Sequence, residues 1–139
     1  MAFSGFLIKV GGSNGTAIPF KYMKAESYKA APSQRLETEA KRAVTGLLYR
    51  TTVDHTATKI EFETPTINNK DLQDLLTLFR NNFTIGIERK LTIYYYNEEN
   101  DNYETADVYM PDIDYEINHI DLPNNLIYYN PIRICFIEY

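Results

Sequence analysis

The chain has 139 residues, 44% apolar and 24% charged, enough for one domain that buries a core without disulfides or a structural metal. Its net charge of −5 argues against a general affinity for phosphate backbones, and basic clusters such as Arg89-Lys90 are only dipeptides. No window approaches the ~18 apolar residues of a membrane span, and "MAFSGFLIKVGG" has neither a cationic leader nor a cleavage site, so a soluble chain in a reducing cytoplasm is expected.

Phe6–Val10 reads as a first strand, Gly11–Gly15 as a turn, and Ile18–Met23 as a returning strand that Pro19 places at a strand start or sheet edge. Residues 24–45 leave three readings open: a helix from Ser33 to about Ala43, an extended arm, or a long loop. The helix would have a thin apolar face, because Leu36 and Val44 are its only large apolar residues. Residues 46–64 read as a hairpin, with Asp54-His55-Thr56-Ala57 as its turn and Ile60 and Phe62 on one face of the second strand. A helix over about 68–80 follows. Asn68 is its N-cap, Asp71 lies in its first turn, and Leu72, Leu75, Leu76 and Phe79 form one stripe. Residues 89–96 and 103–110 form a hairpin about the polar tip 97–102, residues 114–120 add a strand, and Pro131 puts a bulge or an edge into the final run. The order β-β-β-β-α-β-β-β-β predicts a mainly β (β-rich α+β) single domain: an antiparallel β-sandwich or barrel with one packed helix.

No motif carries chemistry. His55 and His119 lack metal-ligand spacing, and Cys135 alternates with apolar neighbours as a buried, inert thiol does. An enzyme would need His55, His119 or Cys135 to converge in a pocket, and a Cys135–His dyad has no local signature. "NEENDN" and "DIDYE" are acidic, but the first lacks the glycine of a calcium loop and reads as a solvated tip. "GGSNG" precedes an extended segment rather than a helix, so it is a turn and not a phosphate cradle. Catalytic, cofactor and metal sites are therefore expected to be absent.

Surface pattern says more. The chain has 12 Tyr and no Trp, and Tyr suits both sheets and interfaces. Tyr94-Tyr95-Tyr96 is a candidate stacking platform for single-stranded nucleic acid, opposed by the net charge and the acidic tip beside it. In "PIRICFIEY", Ile132, Ile134 and Phe136 share one face, and Cys135, Ile137 and Tyr139 share the other with Arg133. One helix cannot cover both faces of so many strands. Tyr94, Tyr96, Cys135, Ile137 and Tyr139 are accordingly the expected subunit-interface residues, and no frayed C-terminal tail is expected.

Three stretches also resemble a family. "AVTGLLYRTTVDHTATKIEFETPTINNKDLQDLL", "RKLTIYYYNEENDNYETADVYMPDIDYEI" and "IYYNPIRICFIEY" look like short, largely uncharacterised proteins from tail gene modules of phages and prophages of Gram-positive hosts. The resemblance covers most of residues 46–139 and, more weakly, the first hairpin. It implies a virion structural role with a fold like that of tail tube and distal tail proteins, whose copies close into a hexameric ring. It further implies partners among other tail proteins, genomic DNA sliding through the lumen without specific binding, assembly in the host cytoplasm, and an arm that residues 24–45 would suit. The chain lacks the second domain that distal tail proteins often carry, so tube-end, adaptor, tube and terminator roles stay open. A Tyr-rich nucleic-acid or carbohydrate binding module is the alternative of another class.

Overall fold

A computed structural model of the chain describes residues 3–42, 46 and 48–139; at 33, 35–42 and 48–56 it describes the backbone alone. The glycine-rich opening turns as its residues require. β1 (Ile8–Val10) returns as the short β2 (Thr16–Ala17). Gly11 and Gly12 hold φ of 100° and 93°, and a Cβ added at Gly15 would stand 2.1 Å from the Val10 carbonyl oxygen. Only glycine fits there. The expected return over Ile18–Met23 is not a strand: ladder pairing stops at Ala17. Pro19 cannot donate to a ladder, and Phe20–Tyr22 form a 3-10 turn, followed by another at Ala25–Ser27.

The segment 24–45 then declares itself. β3 (Lys29–Arg42) is a long strand, so the helix considered from Ser33 does not form; residues 43–45 lie outside the described set. A helix with two large apolar residues has little to bury, whereas strand pairing satisfies the backbone along its length. Its partner β4 (Leu48–Glu63) runs straight through the expected turn at 54–57. Nothing there demands positive φ, and the threonines around it favour extended backbone. A trace of the turn survives as a bulge. Between the pairs Arg35↔Thr56 and Glu37↔Thr52, β3 advances two residues and β4 four.

β5 (Ile67–Asn68) leads into the single helix α1 (Asn69–Arg80), where Asn68 Oδ1 accepts the Asp71 N–H at 2.9 Å. Leu72, Leu75 and Phe79 are buried as the stripe requires. β6 (Lys90–Asn97) and β7 (Asn102–Tyr109) form the expected hairpin. β8 (Ile117–Asp121), β9 (Leu126–Tyr129) and β10 (Arg133–Glu138) complete the chain.

Pro131 stands between strands and makes no bulge within one. It divides the last apolar run between two sheets. β10 joins the seven-stranded antiparallel sheet β2-β1-β6-β7-β10-β4-β3, and β9 lies at the centre of the three-stranded β5-β9-β8. The crossing is pinned at Thr64: its N–H donates to the Ile132 carbonyl, and its Oγ1 accepts the Ile132 N–H. Neither sheet closes into a barrel among the described residues. One face of the large sheet presents Ile8, Ile93, Val108, Phe136, Ile134 and Ile60 to a core that α1 and β5 cap with Ile67, Leu72, Leu75 and Phe79. Phe79 meets Phe136 edge to face at 5.8 Å. Each such fully buried side chain contributes about 1.5–3 kcal/mol.

Candidate interaction surfaces

The five residues expected at a subunit interface share the face of the large sheet that points away from the helix. Tyr94 and Tyr96 stand on β6, and Cys135, Ile137 and Tyr139 lie along β10, with β7 between the two strands. The chain's own N-terminal segment reaches the first group. Tyr103, opposite Tyr96 in register, stacks on Phe6 at 4.5 Å and on Tyr94 at 5.4 Å. Its hydroxyl donates to the Phe6 carbonyl and accepts the Ser4 N–H, each at 2.8 Å. Phe3 adds an edge contact to Tyr96 at 6.0 Å, and Lys9 Nζ lies 4.5 Å from the centre of the Phe6 ring. These rings are thus largely occupied with one another. The Tyr96 hydroxyl donates to Asp101 at 2.6 Å, which raises the phenol's pKa.

On β10 the same face is more open. Cys135 is buried, and that burial raises its thiol pKa against the pull of Arg133 and Lys59, as an inert thiol requires. Arg133 and Glu61 form an ion pair across β10 and β4 that holds the Glu61 carboxyl below its usual range. The pair is solvent-exposed, so it adds little to stability. Ile137 is half-buried and Tyr139 exposed. The Tyr139 hydroxyl donates to Glu88 at 3.0 Å, its N–H donates to the Asp107 carbonyl, and Lys90 Nζ lies 4.8 Å from its ring centre.

The candidate catalytic trio is spread over the fold. His119 stands on β8 of the small sheet, stacked on Tyr128 at 4.5 Å. Cys135 lies in the large sheet, and His55 belongs to the stretch of β4 described by backbone alone. Among the described residues, no group of three or more His, Cys, Asp or Glu is arranged to hold a metal ion. No helix among them is long and apolar enough to cross a membrane. A polar cleft of about 430 Å³ mixes Lys24, Lys29 and Arg133 with Glu26, Glu61 and Glu63, so it favours neither anions nor cations.

Two other features stand out. First, β4 pairs with β10 only from Lys59 to Glu63. From Leu48 to Ala57 its strand partner among the described residues is β3 alone. A two-stranded ribbon therefore runs roughly 30 Å past the sheet. Second, β8 is an edge strand with β9 on one side only. Around it Tyr115, Ile117, Ile120 and Leu122 are 44%, 52%, 57% and 75% exposed. At its foot a cleft of about 210 Å³ is lined by Leu76, Phe79, Phe83, Met110 and Tyr115, with Arg80 and Arg89 also in its wall. Sequence reasoning missed this edge. Residues 114–120 read as a strand, and one forms over Ile117–Asp121, but nothing in that local pattern says that it stands at a sheet edge.

A family model described as "Family of unknown function (DUF6711)" matches residues 1–139. No curated protein and no solved structure matches the chain.

Proposed function

The chain belongs to the DUF6711 family, and we propose, from the resemblance of its sequence to tail-module proteins and from the ribbon described above, that it is a virion structural protein: a ring-forming subunit of a phage tail tip or baseplate, in a distal tail or adaptor role. The observation that carries this reading is the β3–β4 ribbon. An isolated two-stranded ribbon is marginal in water, and this one has backbone to offer along both edges for most of its length. A second surface that it can join makes sense of it. The family resemblance of the sequence and the mainly β fold support the same reading. The net charge of −5 suits a lumen that lets DNA slide rather than adhere. In this account the copies close into a hexameric ring in the host cytoplasm, join other tail proteins, and act without catalysis.

Sedimentation velocity across a concentration series, paired with negative-stain imaging and incubation with isolated phage tails, tests the proposal. A closed ring, free or seated on tails, is the expected result. A chain that stays monomeric at the highest concentration and does not join tails overturns it. Long open tubes would favour the tube reading of the same fold. Oligonucleotide binding that falls steeply with salt would favour the binding-module alternative.

A further inference from the structure

The charges along the chain are segregated. Between Lys90 and Arg133 there is no Lys or Arg, yet the stretch holds nine acidic residues. Four of these, Asp112, Asp114, Glu116 and Asp121, lie in or beside β8; against the two cations of the cleft at its foot, Arg80 and Arg89, they leave the edge net acidic. Between Glu39 and Asp54 the reverse holds: Lys41, Arg42 and Arg50 occur there, and no acid does. The register sets these three at the distal end of the ribbon, where Lys41 pairs with Tyr49, Ala40 with Arg50 and Arg42 with Leu48.

We propose that the basic distal end of the β3–β4 ribbon docks on the acidic, apolar β8 edge of a second copy of this chain. The inference rests on the ring reading above and assigns its contact. Three observations converge on it. β8 has an unpaired edge, and exposed apolar side chains there are the combination that folded proteins usually cover or block. The ribbon is a pair of strands lacking the third that would make it stable alone. The residue types are complementary: the register places Lys41, Arg42, Arg50, Leu48 and Tyr49 at the distal end, and Glu116, Ile117, Ile120 and Asp121 lie in or beside β8. Added strand pairing gives affinity, while charge sets partner and register. Among the described residues no strand pairing joins the ribbon to β8 within one chain. The ribbon end and β8 are different surfaces, so the contact is head-to-tail. It propagates from copy to copy and closes a ring when the rotation permits.

Charge reversal tests this in the full chain. The distal variant is Lys41→Glu with Arg42→Glu; the edge variant is Asp114→Lys with Glu116→Lys. Each alone is expected to weaken association at least tenfold in sedimentation velocity, and the two combined in one chain are expected to restore it. Glu98→Lys with Glu99→Lys, at the β6–β7 tip, is expected to leave association unchanged. Hydrogen exchange on the unmodified protein guards against variants that misfold: amides of Ile117–Asp121 should gain protection on assembly. Unaltered association in either variant, no recovery in the combined chain, or equal exchange before and after assembly overturns the docking while leaving the ring intact. A wild-type chain that never associates overturns both.

Discussion

β8 and β10 make an instructive pair. Both are short strands that carry large apolar residues, INHID over Ile117–Asp121 and RICFIE over Arg133–Glu138. Ile134 and Phe136 on β10 are fully buried, whereas Ile117 and Ile120 on β8 are more than half exposed. Composition does not explain the difference. β10 lies between β7 and β4 with Phe79 across the core, whereas β8 has β9 as its one strand neighbour among the described residues. A strand's pattern states which face it can bury. Only the topology states whether anything arrives to bury it.

Substitution should separate the two strands most sharply. Phe136→Ala removes a fully buried ring from the contact with Phe79 and is expected to cost about 3–5 kcal/mol in denaturant unfolding. Ile120→Ala, on the exposed strand, should cost no more than about 0.5–1 kcal/mol in the monomer. Comparable costs would erase the contrast. Trimming comes next. Deleting Ile137–Tyr139 removes the β10–β7 pairs Ile137↔Tyr109 and Glu138↔Val108, and with them the bond from the Thr58 N–H to Glu138 Oε1 at 2.8 Å. At roughly 1 kcal/mol per net hydrogen bond, a loss of about 2–4 kcal/mol is expected, seen as a lower midpoint of thermal unfolding. An unchanged midpoint would mean that β10 contributes only through Ile132, Ile134 and Phe136.

The smallest effect lies on β10's outer face. Glu61→Gln breaks an exposed ion pair with Arg133 and should cost under about 1 kcal/mol. Because pairing lowers the folded carboxyl's pKa, that contribution is present above the unfolded pKa and fades as pH falls through the folded one. The variant's deficit should therefore shrink in acid. A deficit that grows in acid would contradict the assignment.

The parts of the fold legible in the sequence were those whose signals are local. Asn68, Asp71 and the stripe through Phe79 specify α1, and the polar tip between Asn97 and Asn102 specifies the β6–β7 hairpin. What was hidden depends on distant partners. Asp54–Ala57 has the composition of a turn, but β3 lies alongside as a ladder partner and the stretch becomes a bulge. Pro131 announced an interruption without showing that its two sides join different sheets. Tyr94 and Tyr96 looked available until Phe3 and Phe6 were seen packed on them. The candidate surface was little legible: the pairing of Lys29–Arg42 with β4 was not among the readings of 24–45, and the position of β8 at an edge was not foreseen.

The central claim is that the ribbon serves assembly rather than the stability of its own domain. It is tested most directly by replacing residues 36–55 with a two-residue turn and comparing sedimentation velocity with thermal unfolding. The account predicts that the shortened chain unfolds cooperatively within a few degrees of the intact one, yet stays monomeric where the intact chain assembles. Assembly of the shortened chain at the same concentrations as the intact one would contradict it.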